Sequence, residues 1–166
     1  MNTTVKTPEN STLNRIGLEK TSIEQAVREV NFLLSEYQVY YQNLRGLHWN
    51  IQGENFFTLH AKFEELYTAA ADNIDMIAER VLILGGTPLH SYQAYLDHSD
   101  IDAAENVGDA REAVSVVLHN IQQLISRLRK VVETASQADD EGTADMATEL
   151  IRGLEKNSWM MGAFLK

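Results

Sequence analysis

The chain has 166 residues, a formal net charge of −10 and no cysteine. That length suits one domain able to bury a core without covalent staples, and the missing thiols exclude disulfides, zinc–thiolate sites, iron–sulfur clusters and thiol catalysis. The acidic balance disfavours nucleic acid and membrane surfaces on average and attracts cations, so metal chemistry here rests on His and carboxylate.

Residues 1–20 are polar and without periodicity, and read as a flexible N-terminal tail ahead of a single domain over 21–166. The tail lacks the apolar centre of a signal peptide, and no later run approaches the roughly 18 apolar residues of a membrane span, so a cytoplasmic protein is expected. A first helix is predicted from Thr21 or Ser22, with Glu24 in its first turn, to between Asn50 and Gly53. Ile23, Val27, Val30, Leu34, Tyr37, Tyr41, Leu44 and Leu47 recur along it at helical spacing. Tyr37, Tyr40 and Tyr41 read as core and interface aromatics.

The second helix is predicted to begin after Asn55 and to stop at Leu84, before Gly85, Gly86 and Pro88. Leu59, Phe63, Leu66, Ala70, Ile74, Ile77, Val81 and Leu84 fall within one arc, its core face. The connection over residues 85–106 is long for a helix link and has room for one short helix over 92–96. A third long helix carries Val107, Val114, Val117, Leu118, Ile121, Leu124, Ile125, Leu128 and Val131. The pattern breaks over 138–142, and a fourth helix follows through Met146, Leu150, Leu154, Met161 and Leu165. The expected fold is all-α: a ferritin-like four-helix bundle with a short extra helix in the long connection between its second and third helices.

The second helix carries a palindrome of metal-ligand side chains. His60 and Glu79 are centred between residues 69 and 70, as are Glu64 and Asp75, and each half is an i, i+4 pair on one face. At roughly 1.5 Å per residue Glu64 and Asp75 stand about 16 Å apart, whereas metal–ligand bonds are about 2 Å, so the halves cannot share an ion. A second copy packed antiparallel about a two-fold axis would set His60 and Glu64 of one subunit beside Asp75 and Glu79 of the other, giving two identical shared sites.

The ligand stripe lies roughly 130° around the helix from the core arc, so it points away from its own core. An isolated acidic pair on a helix is ordinarily solvated; the symmetry singles this set out. Thr68 and Ala71 share the stripe and the same centre, small residues where two helices must approach closely. His48 adds an imidazole at the end of the first helix, near the start of the second. Such donors suit Fe(II), Zn(II) or Mn(II). The Glu-x-x-His motif of sites inside ferritin bundles occurs nowhere in the chain. Asp139, Asp140, Glu141 and Asp145 cluster at the start of the last helix, where helix-dipole interaction and solvation account for them.

The stretch His48-Trp49-Asn50-Ile51-Gln52-Gly53, followed by Leu59-His60-Ala61-Lys62-Phe63-Glu64, resembles the first signature of the Dps proteins, the DNA-binding proteins from starved cells. Ile74-Asp75-Met76-Ile77-Ala78-Glu79-Arg80, with Leu84-Gly85-Gly86 and Pro88 after it, resembles the second. The likeness extends over about residues 22–166, including Trp159-Met160 and Ala163-Phe164-Leu165.

This resemblance implies a hollow dodecamer built from two-fold dimers, with a di-iron-type ferroxidase centre across each dimer interface. His48, His60 and Glu64 would come from one subunit and Asp75 and Glu79 from its partner. Glu64 stands where Asp is more usual. The implied chemistry is oxidation of Fe(II) to Fe(III), preferentially by hydrogen peroxide rather than dioxygen, with ferric oxide deposited inside the shell and Zn(II) or Mn(II) as substitute ions. Trp49 would lie near the iron as an electron relay, in addition to packing the first helix on the second. Three-fold pores would admit ions near the start of the last helix, with Asp140 and Asp145 as their acids.

Removing iron and peroxide together is how such proteins protect DNA. Direct DNA binding is expected to be weak or absent, because the tail offers only Lys6, Arg15 and Lys20 against Glu9 and Glu19, and the other end only Lys166. The competing expectation is a nucleoid-associated, DNA-compacting protein whose dimer-interface site is structural, for example zinc.

Overall fold

The computed structural model describes residues 12–166. Five helices follow in order: α1 (Lys20–Asn50), α2 (Phe56–Leu84), α3 (Tyr92–His98), α4 (Ala110–Gln137) and α5 (Glu141–Phe164). The four long helices form the bundle, with α1 packed on α2 and α4, α5 on α4, and the short α3 laid against α1. No helix among the described residues is long and apolar enough to cross a membrane.

The helix ends follow local chemistry. At the end of α2, Gly85 takes a left-handed φ of +92°, its N–H donates to Leu82 O and that of Gly86 to Val81 O. These two bonds satisfy carbonyls the helix leaves open, and the conformation favours a residue without Cβ. Gly86 also lets the chain close on α1, since a methyl there would come within 2.6 Å of Val27 Cγ1. Asp109 caps α4 by accepting from the N–H groups of Arg111 and Glu112.

The core runs between the four long helices. On α2 it takes the predicted arc: Leu59, Phe63, Leu66, Ala70, Ile77, Val81 and Leu84 are buried and Ile74 partly so. On α1 the buried band is broader than predicted, adding Ala26, Leu33 and Tyr40, because this helix touches three neighbours. A polar cluster crosses the core edge. Arg127 of α4 donates to Glu36 (2.8 Å) and Glu29 (2.8 Å) of α1 and to Asp100 (2.7 Å) after α3, which fastens the long crossover to the bundle.

Three sequence expectations shift. Val107 lies in the loop before α4, buried there without being helical, and α3 runs two residues beyond the predicted 96. Residues 12–19, read as tail, form a turn in which Asn14 Oδ1 accepts from the N–H groups of Ile16 and Leu18 and its side-chain amide donates to Leu84 O. Leu18 then packs against the buried cluster of Ile23, Leu84 and Ala138. The short Asn-centred turn lacks the periodicity by which helices are recognised, so the sequence did not reveal it. The rest of the expected tail, residues 1–11, lies outside the described residues.

Candidate metal centre

The last turn of α1 and the second turn of α2 are brought side by side by the short link over residues 51–55. The buried Ile51 ends α1 in an extended conformation. The juxtaposition puts His48 and His60 ring on ring, centroids 3.7 Å apart and 21° from parallel. Their hydrogen bonds are reciprocal: His48 Nδ1 donates to His60 O and His60 Nδ1 donates to His48 O, each at 2.8 Å. A carbonyl oxygen only accepts, so both Nδ1 atoms carry the proton. Nε2 is then the nitrogen each ring offers to a metal, oriented by the bond its Nδ1 makes.

Glu64, one turn beyond His60, brings its carboxylate to the same point. One ligand atom from each of His48, His60 and Glu64 lies within 4.8 Å of the others, and no other group of this kind is found among the described residues. Phe56 stacks on His60 at 4.9 Å and Tyr67 meets His48 edge-on at 5.3 Å, so the imidazoles are held by packing as well as by hydrogen bonds. His48 is buried and Glu64 exposed, which leaves the site open on the side of the outer α2 stripe.

The remaining candidate residues fall elsewhere. Asp75 and Glu79 are exposed, as are Thr68 and Ala71, and neither acid joins the cluster. The uninterrupted α2 keeps Asp75 about 16 Å from Glu64 along its axis. Trp49 is 57% exposed and has the Arg45 guanidinium 4.7 Å from its ring centroid. Asp145 is exposed, but Asp140 is only 2% exposed. Its carboxylate caps α5, accepting from the Thr143 N–H (3.1 Å) and hydroxyl, and pairs with Arg80 of α2. A carboxylate so engaged is a helix cap and an ion-pair partner, and in that state it has little capacity left to line a pore.

Sequence reasoning missed the reciprocal bonds and the aromatic supports. For Tyr67 a signal existed: it follows His60 by seven residues and Glu64 by three, which is the same helical face. The carbonyl acceptors carry no signal, since every residue has one.

A family model of the ferritin-like domain matches residues 30–166. The chain is 45% identical over 148 residues to the DNA protection during starvation protein of Brevibacillus brevis, which covers 89% of this chain and 99% of that protein. The chain belongs to the Dps family. It is also 38% identical to DNA protection during starvation protein 2 of Bacillus anthracis over 142 residues, 86% of this chain and 97% of that one. The Dps protein of Vibrio cholerae O1, described as one of the ferritin-like diiron-carboxylate proteins, superposes with a TM-score of 0.92 at 40% identity, covering 96% of this chain and all of that one. Dps likeness thus spans the bundle, the short α3 and the residues of the His48–His60–Glu64 cluster together.

Proposed function

We propose that this Dps-family protein oxidises Fe(II) with hydrogen peroxide at sites shared across a two-fold dimer interface. The ferric product is stored as mineral inside a hollow dodecamer, and DNA is protected because iron and peroxide are consumed together. The observation that carries this reading is the half-site. His48, His60 and Glu64 converge with both Nε2 atoms outside the reciprocal hydrogen bonds, while the matching acids Asp75 and Glu79 are exposed on the same helix beyond intramolecular reach.

Iron is here a substrate. Two imidazoles from one subunit and three carboxylates from the pair suit Fe(II), and Zn(II) or Mn(II) would compete for the same donors. Three negative charges offset most of the charge on two ferrous ions and favour the further charge that oxidation creates, so the site stabilises the product over the reactant. His48 and His60 enter with their rings already fixed and pay little orientational cost. Trp49, which follows His48 in the chain, would serve as a packing residue and an electron relay.

The chain's net charge of −10 attracts cations, and the exposed Asp145 is the stronger candidate for a pore acid, given the engagement of Asp140. The same charge opposes DNA binding, so protection acts through chemistry in the cytoplasm.

The test is complementation. His60→Ala and Asp75→Ala proteins are each expected to assemble and to lose ferric absorbance on addition of Fe(II) and peroxide. Co-assembled in equal amounts, they should regain about a quarter of the parent sites, because a shared site is intact only when His60 and Asp75 come from opposite variants. A mixture no more active than its components would refute a site shared between subunits. A structural zinc clamp would leave even the parent protein unable to oxidise iron.

A further inference from the structure

Between α1 and the crossover lies a pocket of about 210 Å³, and none of its lining residues belongs to the His48–His60–Glu64 cluster. Three tyrosines face it: Tyr41 from α1, and Tyr92 and Tyr95 from α3, which meet edge to face with centroids 6.4 Å apart. Its walls are fixed by bonds of their own. Tyr95 donates its hydroxyl proton to Leu89 O (3.1 Å). The buried Asn43 donates to Asp102 O (2.9 Å) and Asn120 Oδ1 (3.0 Å) and accepts from the Ala104 N–H (2.8 Å), which ties the crossover to α1. Arg45 is the one charged residue in the lining. Its guanidinium carbon stands 5.4 Å from the Tyr41 centroid and 4.7 Å from that of Trp49, and its one hydrogen bond among the described residues goes to Gln42 Oε1 at 3.5 Å. No carboxylate among the described residues pairs with it, although the chain carries 24 acids. Ring faces hold this guanidinium in place and leave most of its five N–H donors unused.

We propose that this pocket binds a single-ring aromatic carboxylate, with its ring among Tyr41, Tyr92 and Tyr95 and its carboxylate on the Arg45 guanidinium. Each part of the ligand answers a feature of the site. The volume is below the roughly 300–1,000 Å³ of sites for drug-sized molecules, so a nucleotide or a fused ring system is too large. The unpaired guanidinium selects an anion, and its planar fork matches a carboxylate in two parallel hydrogen bonds. An inorganic anion would leave the three phenol rings without contact, whereas a benzene ring meets them in stacked or edge-to-face geometry. An aromatic cation would be repelled by Arg45. The walls are set before binding, so little ordering opposes it. None of these residues is a ligand of the proposed ferroxidase centre, so this site and that reading stand or fall separately.

Benzoate is titrated into the assembled, iron-free protein and followed by calorimetry and by tryptophan emission. The chain has two tryptophans, so a Trp159→Phe background leaves Trp49, which shares the Arg45 guanidinium with the pocket, as the reporter. Saturable binding of one benzoate per subunit is expected, with a shift of Trp49 emission that saturates in step with the heat. Arg45→Gln should weaken binding about tenfold or more. Tyr92 is 86% exposed, so Tyr92→Ala removes one ring of the pocket without disturbing the core, and it should weaken binding several-fold. Cyclohexanecarboxylate, which keeps the charge and loses the aromatic ring, should bind several-fold more weakly than benzoate, and benzyl alcohol, which keeps the ring and loses the charge, about tenfold more weakly. Absence of saturable binding overturns the proposal, as it would if a neighbouring subunit filled the pocket. Equal affinity in Arg45→Gln, equal affinity for cyclohexanecarboxylate, or heat without a Trp49 response overturns it as well.

Discussion

Glu36→Gln should make the protein more stable at slightly alkaline pH, and the size of the effect follows from the Arg127 cluster. Glu36 is 1% exposed, and only one of its oxygens is bonded, to Arg127 Nε at 2.8 Å; Oε2 is buried without a partner. Burial pushes its carboxyl from the ordinary 4.5 up to about 7, against the opposing pull of Arg127. Between those values the folded chain holds a proton that the unfolded chain has released. Stability therefore falls as pH rises through this window and is fully present below it.

The interval from 4.5 to about 7, at roughly 1.4 kcal/mol per pH unit, amounts to about 3 kcal/mol. Glutamine reproduces the protonated side chain: its carbonyl can accept from Arg127, and its amide occupies the unbonded position. The variant should match the parent near pH 5 and exceed it by about 3 kcal/mol near pH 8. Urea unfolding at fixed protein concentration across this range measures the difference. A gap that stays flat with pH, or a variant less stable at pH 8 than at pH 5 relative to the parent, would refute a proton on Glu36.

Asp140→Ala should cost about 3 kcal/mol, since it removes the α5 cap and leaves Arg80 without its buried partner; Asp140→Asn, which keeps an acceptor for the cap, should cost visibly less in thermal midpoint. Asp145→Asn should slow iron uptake by the assembled protein without changing its fold, with the difference shrinking as salt rises; an equal effect at low and high salt would remove this acid from a steering role. Ala71→Lys, on the exposed stripe and outside the ligand set, should abolish two-fold pairing in light scattering and ferroxidation together. Active protein with unpaired subunits would contradict the shared site.

The bundle was legible where side-chain chemistry marks the chain. Asn55 before α2 and the Gly85-Gly86 pair after it bracket a single apolar period, so both ends of that helix were read correctly. Val107 misled because a buried valine extends a helical pattern whether or not its backbone is helical. The Arg127 cluster was hidden for a different reason: its four members come from α1, the loop after α3 and α4, and only the tertiary fold unites them. Glu29 and Glu36 did leave a trace, two acids seven residues apart within the buried band of α1. At the metal centre the i, i+4 spacing of His60 and Glu64 was visible, but the backbone oxygens that fix both imidazoles were not.

On the proposed reading, the placement of the ligand stripe governs how safely the protein handles iron. The inner arc of α2 builds the core and its outer stripe holds half of each of two sites, so a subunit alone binds iron with two imidazoles and the single carboxylate of Glu64. Such a site can hold one ferrous ion weakly and has nowhere for the second electron donor, which is the condition under which peroxide releases hydroxyl radical. Pairing adds Asp75 and Glu79 and with them the charge to hold two ions. Assembly therefore does more than create a container: it converts a one-electron hazard into a two-electron reaction.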